Sequence, residues 1–133
     1  MDDRELIEQA LAVVHARRSG DAEMGQVGAA LVTVDGNLHR GVCIDTPSSM
    51  GFCAEHAAIG AMVTAGESAI SKIVAVANDE SGAPYVLPPC GRCREFIRQI
   101  DERNDHTDVI VAPGRTAKLH DLLPESEWAP ITR

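Results

Sequence analysis

Val27-Gly-Ala-Ala-Leu-Val-Thr-Val-Asp-Gly-Asn-Leu-His-Arg-Gly-Val-Cys-Ile44 is the stretch whose reading decides the fold. Val27 to Val34 is apolar and β-rich. Asp35-Gly36 is a strong hairpin turn, and Leu38 to Ile44 reads as the returning strand. Working outward, Ile7, Leu11 and Val14 recur at helical spacing in the opening segment. Asp2 or Asp3 can cap that helix, and Gly20 is expected to end it. Beyond the hairpin lies a Pro/Ser/Gly loop, Thr46 to Gly51. An alanine-rich helix from about Cys53 to Thr64 follows and stops near Gly66. Lys72 to Ala77 is a short apolar strand. A loop containing Gly82, Pro84, Pro88 and Pro89 leads into a helix over about Gly91 to Asp101. Val109 to Ala112 is another buried strand, and Leu119 to Leu123 is one helical turn ended by Pro124. A hairpin entering a βαβαβ run gives a mixed sheet with helices packed on it. The strands are too apolar to face water on one side, so helices should cover both faces. No repeat, low-complexity tract or linker divides residues 1–133, which read as a single α/β domain.

Composition narrows the function. The chain has 12 basic and 20 acidic residues, a net charge of -8, and 3% aromatic residues. A nucleic-acid binder needs a basic face to displace counterions and aromatic platforms for bases, so no nucleic acid is expected. A small-molecule partner fits better. No signal peptide and no span long enough for a membrane is seen, so a cytoplasmic protein without membrane contact is expected. With 44% apolar residues the chain can build a core without disulfide staples, and a reducing compartment would leave its four cysteines free for metal.

Three of those cysteines fall in two short motifs, Cys53-Ala-Glu-His56 and Pro89-Cys90-Gly-Arg-Cys93. Cys90 and Cys93 share one helix face, a turn apart, within reach of one ion. Pro89 suits a helix start, and Cys53 follows directly on a loop. All three thiolates should therefore lie at or near helix N-termini, where partial positive charge favours anions. Three thiolates leave the fourth position of a zinc ion to water. Zinc with three thiolates carries a net negative charge, which His56 and Arg94 are placed to offset by donating toward the sulfurs. Glu55 can reach the open position without ligating. It would take a proton from that water and pass protons to a ring nitrogen and to departing ammonia. The same spacing also fits a structural site in which His56 closes the tetrahedron as fourth ligand. Cys43 lies in a strand pattern and fits a small core residue. His15, His39, His106 and His120 read as surface positions, and Asp101 to Asp105 as a solvated turn.

These residues resemble the cytidine deaminase family, and within it are especially similar to the blasticidin S deaminases. The likeness rests on Val27-Gly-Ala-Ala-Leu31, Cys53-Ala-Glu55, Pro89-Cys-Gly-Arg-Cys-Arg94, and Leu122-Leu-Pro124 with an aromatic, Trp128, shortly after. Asn78-Asp-Glu80 and Gly82 add to the blasticidin likeness. The resemblance implies one zinc per subunit on Cys53, Cys90 and Cys93, with Glu55 as proton shuttle, and so favours the open site over the structural one. It implies a three-layer α-β-α fold, taken here with a mixed five-stranded sheet, and a homotetramer whose sites borrow residues from neighbours.

The departures fall in the substrate pocket. The family usually carries Asn-x-Glu on the second strand against the ribose hydroxyls. Cys43 and Asp45 stand there, and a thiol cannot replace an amide's donors and acceptor. Gly25 stands where an aromatic residue precedes the first strand, His56 where Arg is frequent, and Glu95 where Gln is usual. Cys43, Asp45 and Trp128 are the candidate substrate contacts. The expected activity is hydrolytic release of ammonia from a cytosine-like ring of a free nucleoside, cytidine or deoxycytidine first. Blasticidin S or another amino-heterocycle is the alternative. A non-catalytic, zinc-stabilised binding protein is the alternative of a different class.

Overall fold

A computed structural model describes residues 1–133. The chain runs α1 (Asp3–Leu11), β1 (Arg17–Ser19), β2 (Ala22–Thr33), β3 (Leu38–Asp45), α2 (Ala54–Thr64), β4 (Ile70–Asn78), β5 (Pro84–Leu87), α3 (Gly91–Ile100), β6 (Asp108–Ala112) and β7 (Arg115–Lys118). Short 3-10 turns occupy Pro47–Ser49, Glu102–His106 and Leu119–Leu122.

The β2–β3 hairpin forms as the sequence predicts, with Gly36 at φ 87 in its turn. β2 pairs antiparallel with β3 on one edge and with β4 on the other. β4 runs parallel to β6, and β7 closes that end antiparallel to β6. The spine of the sheet is therefore β3-β2-β4-β6-β7, with β1 beside β2 and β5 beside β4. The mixed sheet is as expected, but it has seven strands rather than five. β1 escapes the hydrophobic pattern because Arg17, Arg18 and Ser19 are all exposed. β5 opens on Pro84 and is followed by Pro88, residues that an edge position tolerates and a central strand does not.

Alternation along β4 builds the three layers. Ile73 and Ala75 point to the face covered by α2 and α3, where they join Leu31, Ala54, Ala58, Ile59 and Ile97. Val74 and Val76 point to the opposite face, where Leu6 and Ala10 of α1 cover them with Ala30 and Ile110. Helices thus lie on both faces. α1 is capped by Asp2 and Glu5 in a reciprocal capping box, but it ends at Leu11 instead of reaching Gly20. The chain then leaves the helix to supply β1, and Gly20 (φ 59) turns it into β2.

Two close approaches position the site. A Cβ at Gly41 would come 2.5 Å from the Ala57 Cβ and 2.5 Å from the Ala58 nitrogen, so β3 and α2 touch backbone to backbone there. Phe52 is stitched to the end of β3 by paired bonds, Ile44 N–H to the Phe52 carbonyl (3.1 Å) and Phe52 N–H to the Ile44 carbonyl (2.9 Å). These bonds bring the start of α2 beside Asp45.

The segment Asp101 to Asp105, expected to be solvated, is a tight turn anchored by a fully buried Asn104. The Asn104 amide donates to the Ser68 and Ile97 carbonyls (3.1 and 2.9 Å), and its oxygen accepts from the Ile70 N–H (2.8 Å). Asn104→Ala leaves two buried backbone groups and one partly buried one unpaired, at about 1 kcal/mol or more each. A loss of about 3 kcal/mol is expected in urea unfolding, with the m-value unchanged.

Candidate metal and catalytic site

The two cysteine motifs occupy the starts of two helices, as the sequence predicts. Cys53 is the N-cap of α2 and Cys90 the N-cap of α3, while Cys93 lies in the first turn of α3. None of the four cysteines is in a disulfide. The Cys53 and Cys90 sulfurs are 3.8 Å apart and those of Cys90 and Cys93 are 3.6 Å apart. Tetrahedral zinc with Zn–S bonds of about 2.3 Å needs sulfurs about 3.8 Å apart. The donor set therefore fits zinc. The three sulfurs lie within 4.8 Å of one another, and no histidine or carboxylate atom joins that group. The cluster thus consists of three sulfurs, with the His56 Nδ1 beside one of them, 3.6 Å from the Cys93 sulfur.

The electrostatics agree with a dication at this point. Burial pushes the Cys53 and Cys93 thiols up, Cys93 strongly, with the charges of Glu55 and neighbouring thiols adding to it. Cys90 goes the other way. Burial opposes it, but the backbone N–H groups of Cys93 and Arg92 and the neighbouring thiols outweigh burial and lower its pKa. Holding all three as thiolates is costly without a cation, and a bound metal would offset that cost.

Glu55 is in the first turn of α2 and only 6% exposed. Burial raises its carboxyl above the usual carboxylate range, while its backbone N–H and Cys93 pull the other way. It shares a cavity of about 200 Å³ with Val27, Cys43, Asp45, Cys53, Ala54, Ala75, Leu87, Pro88 and Cys90. Two of the sequence-derived substrate candidates, Cys43 and Asp45, thus meet Glu55 and two of the metal-site sulfurs in one pocket. Leu87 and Pro88 complete its wall. The sequence offered a signal for them in Tyr85-Val-Leu87, a short apolar run read as loop because prolines flank it.

His56 and Arg94 do different work from each other. The His56 Nδ1 lies 3.6 Å from the Cys93 sulfur, and its ring stacks on Phe96 with centroids 4.4 Å apart and planes 2° from parallel. Burial and the Arg92 charge lower its pKa, which favours a neutral imidazole. Arg94 does not point at the sulfurs. Its Nε donates to the Pro89 carbonyl (2.7 Å) and its Nη1 to the Leu122 carbonyl (3.5 Å), so it holds in place the segment that delivers Cys90.

Cys43 is 5% exposed. Its thiol donates to the Gln26 side-chain oxygen (3.2 Å) and accepts from the Val27 N–H (3.4 Å). Gln26 was not legible as a site neighbour, because its contact arises from an irregular β2–β3 register between Met24 and Gly28. Gly25 lies in that irregularity at φ 78, and a Cβ there would come 2.1 Å from the His15 carbonyl oxygen. No aromatic wall can grow from this position. Trp128 is 99% exposed and lines a separate open cleft with Arg98, Asp105 and His120, away from the pocket of its own chain.

Comparison with known proteins accords with this geometry. Residues 1–106 match a family model described as the cytidine and deoxycytidylate deaminase zinc-binding region. The cytidine deaminase of Mycobacterium tuberculosis is 33% identical over 101 residues, spanning 75% of this chain and 71% of that protein. The blasticidin-S deaminase of Bacillus cereus is 34% identical over 105 residues, covering 74% of each. The crystal structure of cytidine deaminase from Mycobacterium leprae superposes with a TM-score of 0.75 at 25% identity, covering 94% of this chain and 99% of that one. That from Burkholderia pseudomallei gives 0.72 at 29% identity, covering 96% of this chain and 100% of the other. With the three-layer fold and a zinc-competent cysteine triad beside a buried glutamate, this chain belongs to the cytidine and deoxycytidylate deaminase family of zinc-dependent hydrolases.

Proposed function

We propose that the protein releases ammonia from the cytosine-like ring of a free nucleoside, with cytidine and deoxycytidine as first substrates. The observation that carries this reading is the meeting of Glu55 with Cys53 and Cys90, two of the three clustered cysteines, in one small, largely apolar cavity. Zinc held by Cys53, Cys90 and Cys93 would supply Lewis-acid activation of water at neutral pH. The protein's own contribution is positional. Val27, Ala75, Leu87 and Pro88 exclude bulk water around the ring. Burial raises the Glu55 carboxyl above the usual carboxylate range, which suits a group that must both accept and return protons. Arg94 fixes the Cys90 segment, and His56 supports Cys93. Asp45 faces the part of the substrate beyond the ring, and Cys43 forms the wall beside it.

Blasticidin S or another amino-heterocycle is the second reading, favoured by the thiol at position 43. That thiol is already engaged by Gln26 and the Val27 N–H, so it offers little to a sugar hydroxyl. A non-catalytic zinc-stabilised binder is the competing class. Ammonia release measured across cytidine, deoxycytidine, cytosine, blasticidin S and amino-purines tests all three. Turnover of a cytosine compound supports the first two, and zinc binding without any turnover supports the third.

His56→Ala separates an open zinc site from a four-ligand one. One zinc per chain is expected to remain, by metal analysis after gel filtration. Loss of the metal would make His56 a ligand. The same reading includes residues 1–133 acting as one domain, and a cytoplasmic setting that keeps the thiols reduced. It also includes a homotetramer in which Trp128 reaches another copy's pocket. Exposed Met50, Phe52, Val63 and Tyr85 provide apolar surface for such contacts, and sedimentation velocity checks the assembly. No helix is long and apolar enough to cross a membrane.

A further inference from the structure

Cys93 and Phe96 are three residues apart on α3, so the sulfur and the aromatic ring stand side by side on one face of that helix. Between them they hold a single imidazole, that of His56, carried by the first turn of α2. The sulfur meets the edge of that ring, with the His56 Nδ1 3.6 Å from the Cys93 Sγ. Phe96 covers its face, with centroids 4.4 Å apart and planes 2° from parallel. A metal-bound thiolate has no proton to give, so a hydrogen bond between Nδ1 and that sulfur has the N–H as donor. In most histidines the other ring nitrogen fixes the tautomer and the ring orientation through a hydrogen bond of its own. The His56 Nε2 makes no hydrogen bond within the chain. The aim of the donor is therefore left to the plane of the ring, and the stack on Phe96 sets that plane. Phe96 is itself seated, being half-buried and packed against the core that α2 and α3 cover.

We propose that Phe96 is a positioning residue for the metal centre, which by stacking on His56 aims the Nδ1–H at the Cys93 sulfur. The inference rests on the reading of Cys53, Cys90 and Cys93 as metal ligands, and it adds to them a residue that touches neither metal nor substrate. An imidazole free to turn about its Cβ–Cγ bond would swing the N–H off the sulfur. Held in place, the N–H draws electron density from the thiolate. It offsets part of the negative charge that three thiolates gather, and a metal bound there is left a stronger Lewis acid.

The test uses the full-length protein loaded with cobalt(II), whose sulfur-to-metal charge-transfer absorption reports electron density on the thiolates. Metal affinity is read by competition with a chelator. The proteins compared are wild type, Phe96→Leu, Phe96→Tyr, His56→Ala, and Phe96→Leu combined with His56→Ala. Phe96→Leu should weaken metal binding about tenfold, the scale of losing such a partner, and move the charge-transfer band to lower energy. Phe96→Tyr keeps the stacking face and should retain most of the affinity and the band position. His56→Ala should reproduce the Phe96→Leu changes, and combining the two should add nothing, since both act through one hydrogen bond. Wild-type affinity and band in Phe96→Leu overturn the proposal. So does a further equal loss in the combined variant, which would reduce Phe96 to packing. Complete loss of cobalt in His56→Ala would make His56 a ligand and also overturn it. A wild type with no thiolate charge-transfer band would overturn the triad reading and this inference together, an outcome distinct from the others. Nitrogen NMR of zinc-loaded wild type decides without any variant having to fold. A protonated Nδ1 and a bare Nε2 on His56 support the proposal, and the opposite tautomer overturns it.

Discussion

Glu55→Gln is expected to lower kcat for ammonia release by about three orders of magnitude while leaving one zinc per chain. The substitution keeps the side chain's size in a position only 6% exposed, so the pocket should keep its shape. What it removes is a group that can take up and release a proton. Positioned general acid–base catalysis is worth about 10²–10⁴-fold, and here one carboxyl would serve both the attack and the departure of ammonia. Metal content is the control that gives the result its meaning. Glu55 is not part of the sulfur group, so zinc should stay. Turnover within tenfold of wild type would mean that another group moves the protons.

Cys93→Ser should have the largest effect on the metal. Cys93 is fully buried in the first turn of α3, with its sulfur 3.6 Å from the Cys90 sulfur and 3.6 Å from the His56 Nδ1. An alcohol is a poor zinc ligand because it must lose a far more reluctant proton than a thiol. With two ligands left, metal content should fall to a small fraction of one per chain, and activity with it. A ligand held at about a thousand times its Kd stabilises the fold by about 4 kcal/mol. Its loss should lower Tm by roughly 15 °C in a chain of this size. The fold itself should persist, since the core cluster on neither face of the sheet includes Cys53, Cys90 or Cys93. Retention of full zinc would mean that the triad is not the metal site.

The main elements were legible because they follow strong local rules. The hairpin announces itself through Asp35-Gly36, and α2 and α3 through their loops, their alternation with apolar strands and the glycine at position 66 (φ 93). The cysteine spacing carried the metal site, because a helix brings residues three apart onto one face. What escaped depends on contacts remote in sequence. β1 has no apolar residue to betray it, and β5 is masked by prolines. Asn104 looked like a polar turn residue, and only the packing of α3 and β4 around it makes it a buried anchor. Arg94 was expected to face the sulfurs, yet the Pro89 carbonyl, five residues back, captures it first. Gln26 gained its place only from the register irregularity beside Gly25.

The central claim is that a zinc-loaded Cys53–Cys90–Cys93 cluster and Glu55 together deaminate a cytosine-like ring in a small molecule. Ammonia release by the purified zinc-loaded protein, followed across cytidine, deoxycytidine, cytosine and blasticidin S, tests it most directly. The account predicts release from at least one of these compounds, lost on zinc removal and in Glu55→Gln. No release from any of them by fully zinc-loaded protein would contradict it.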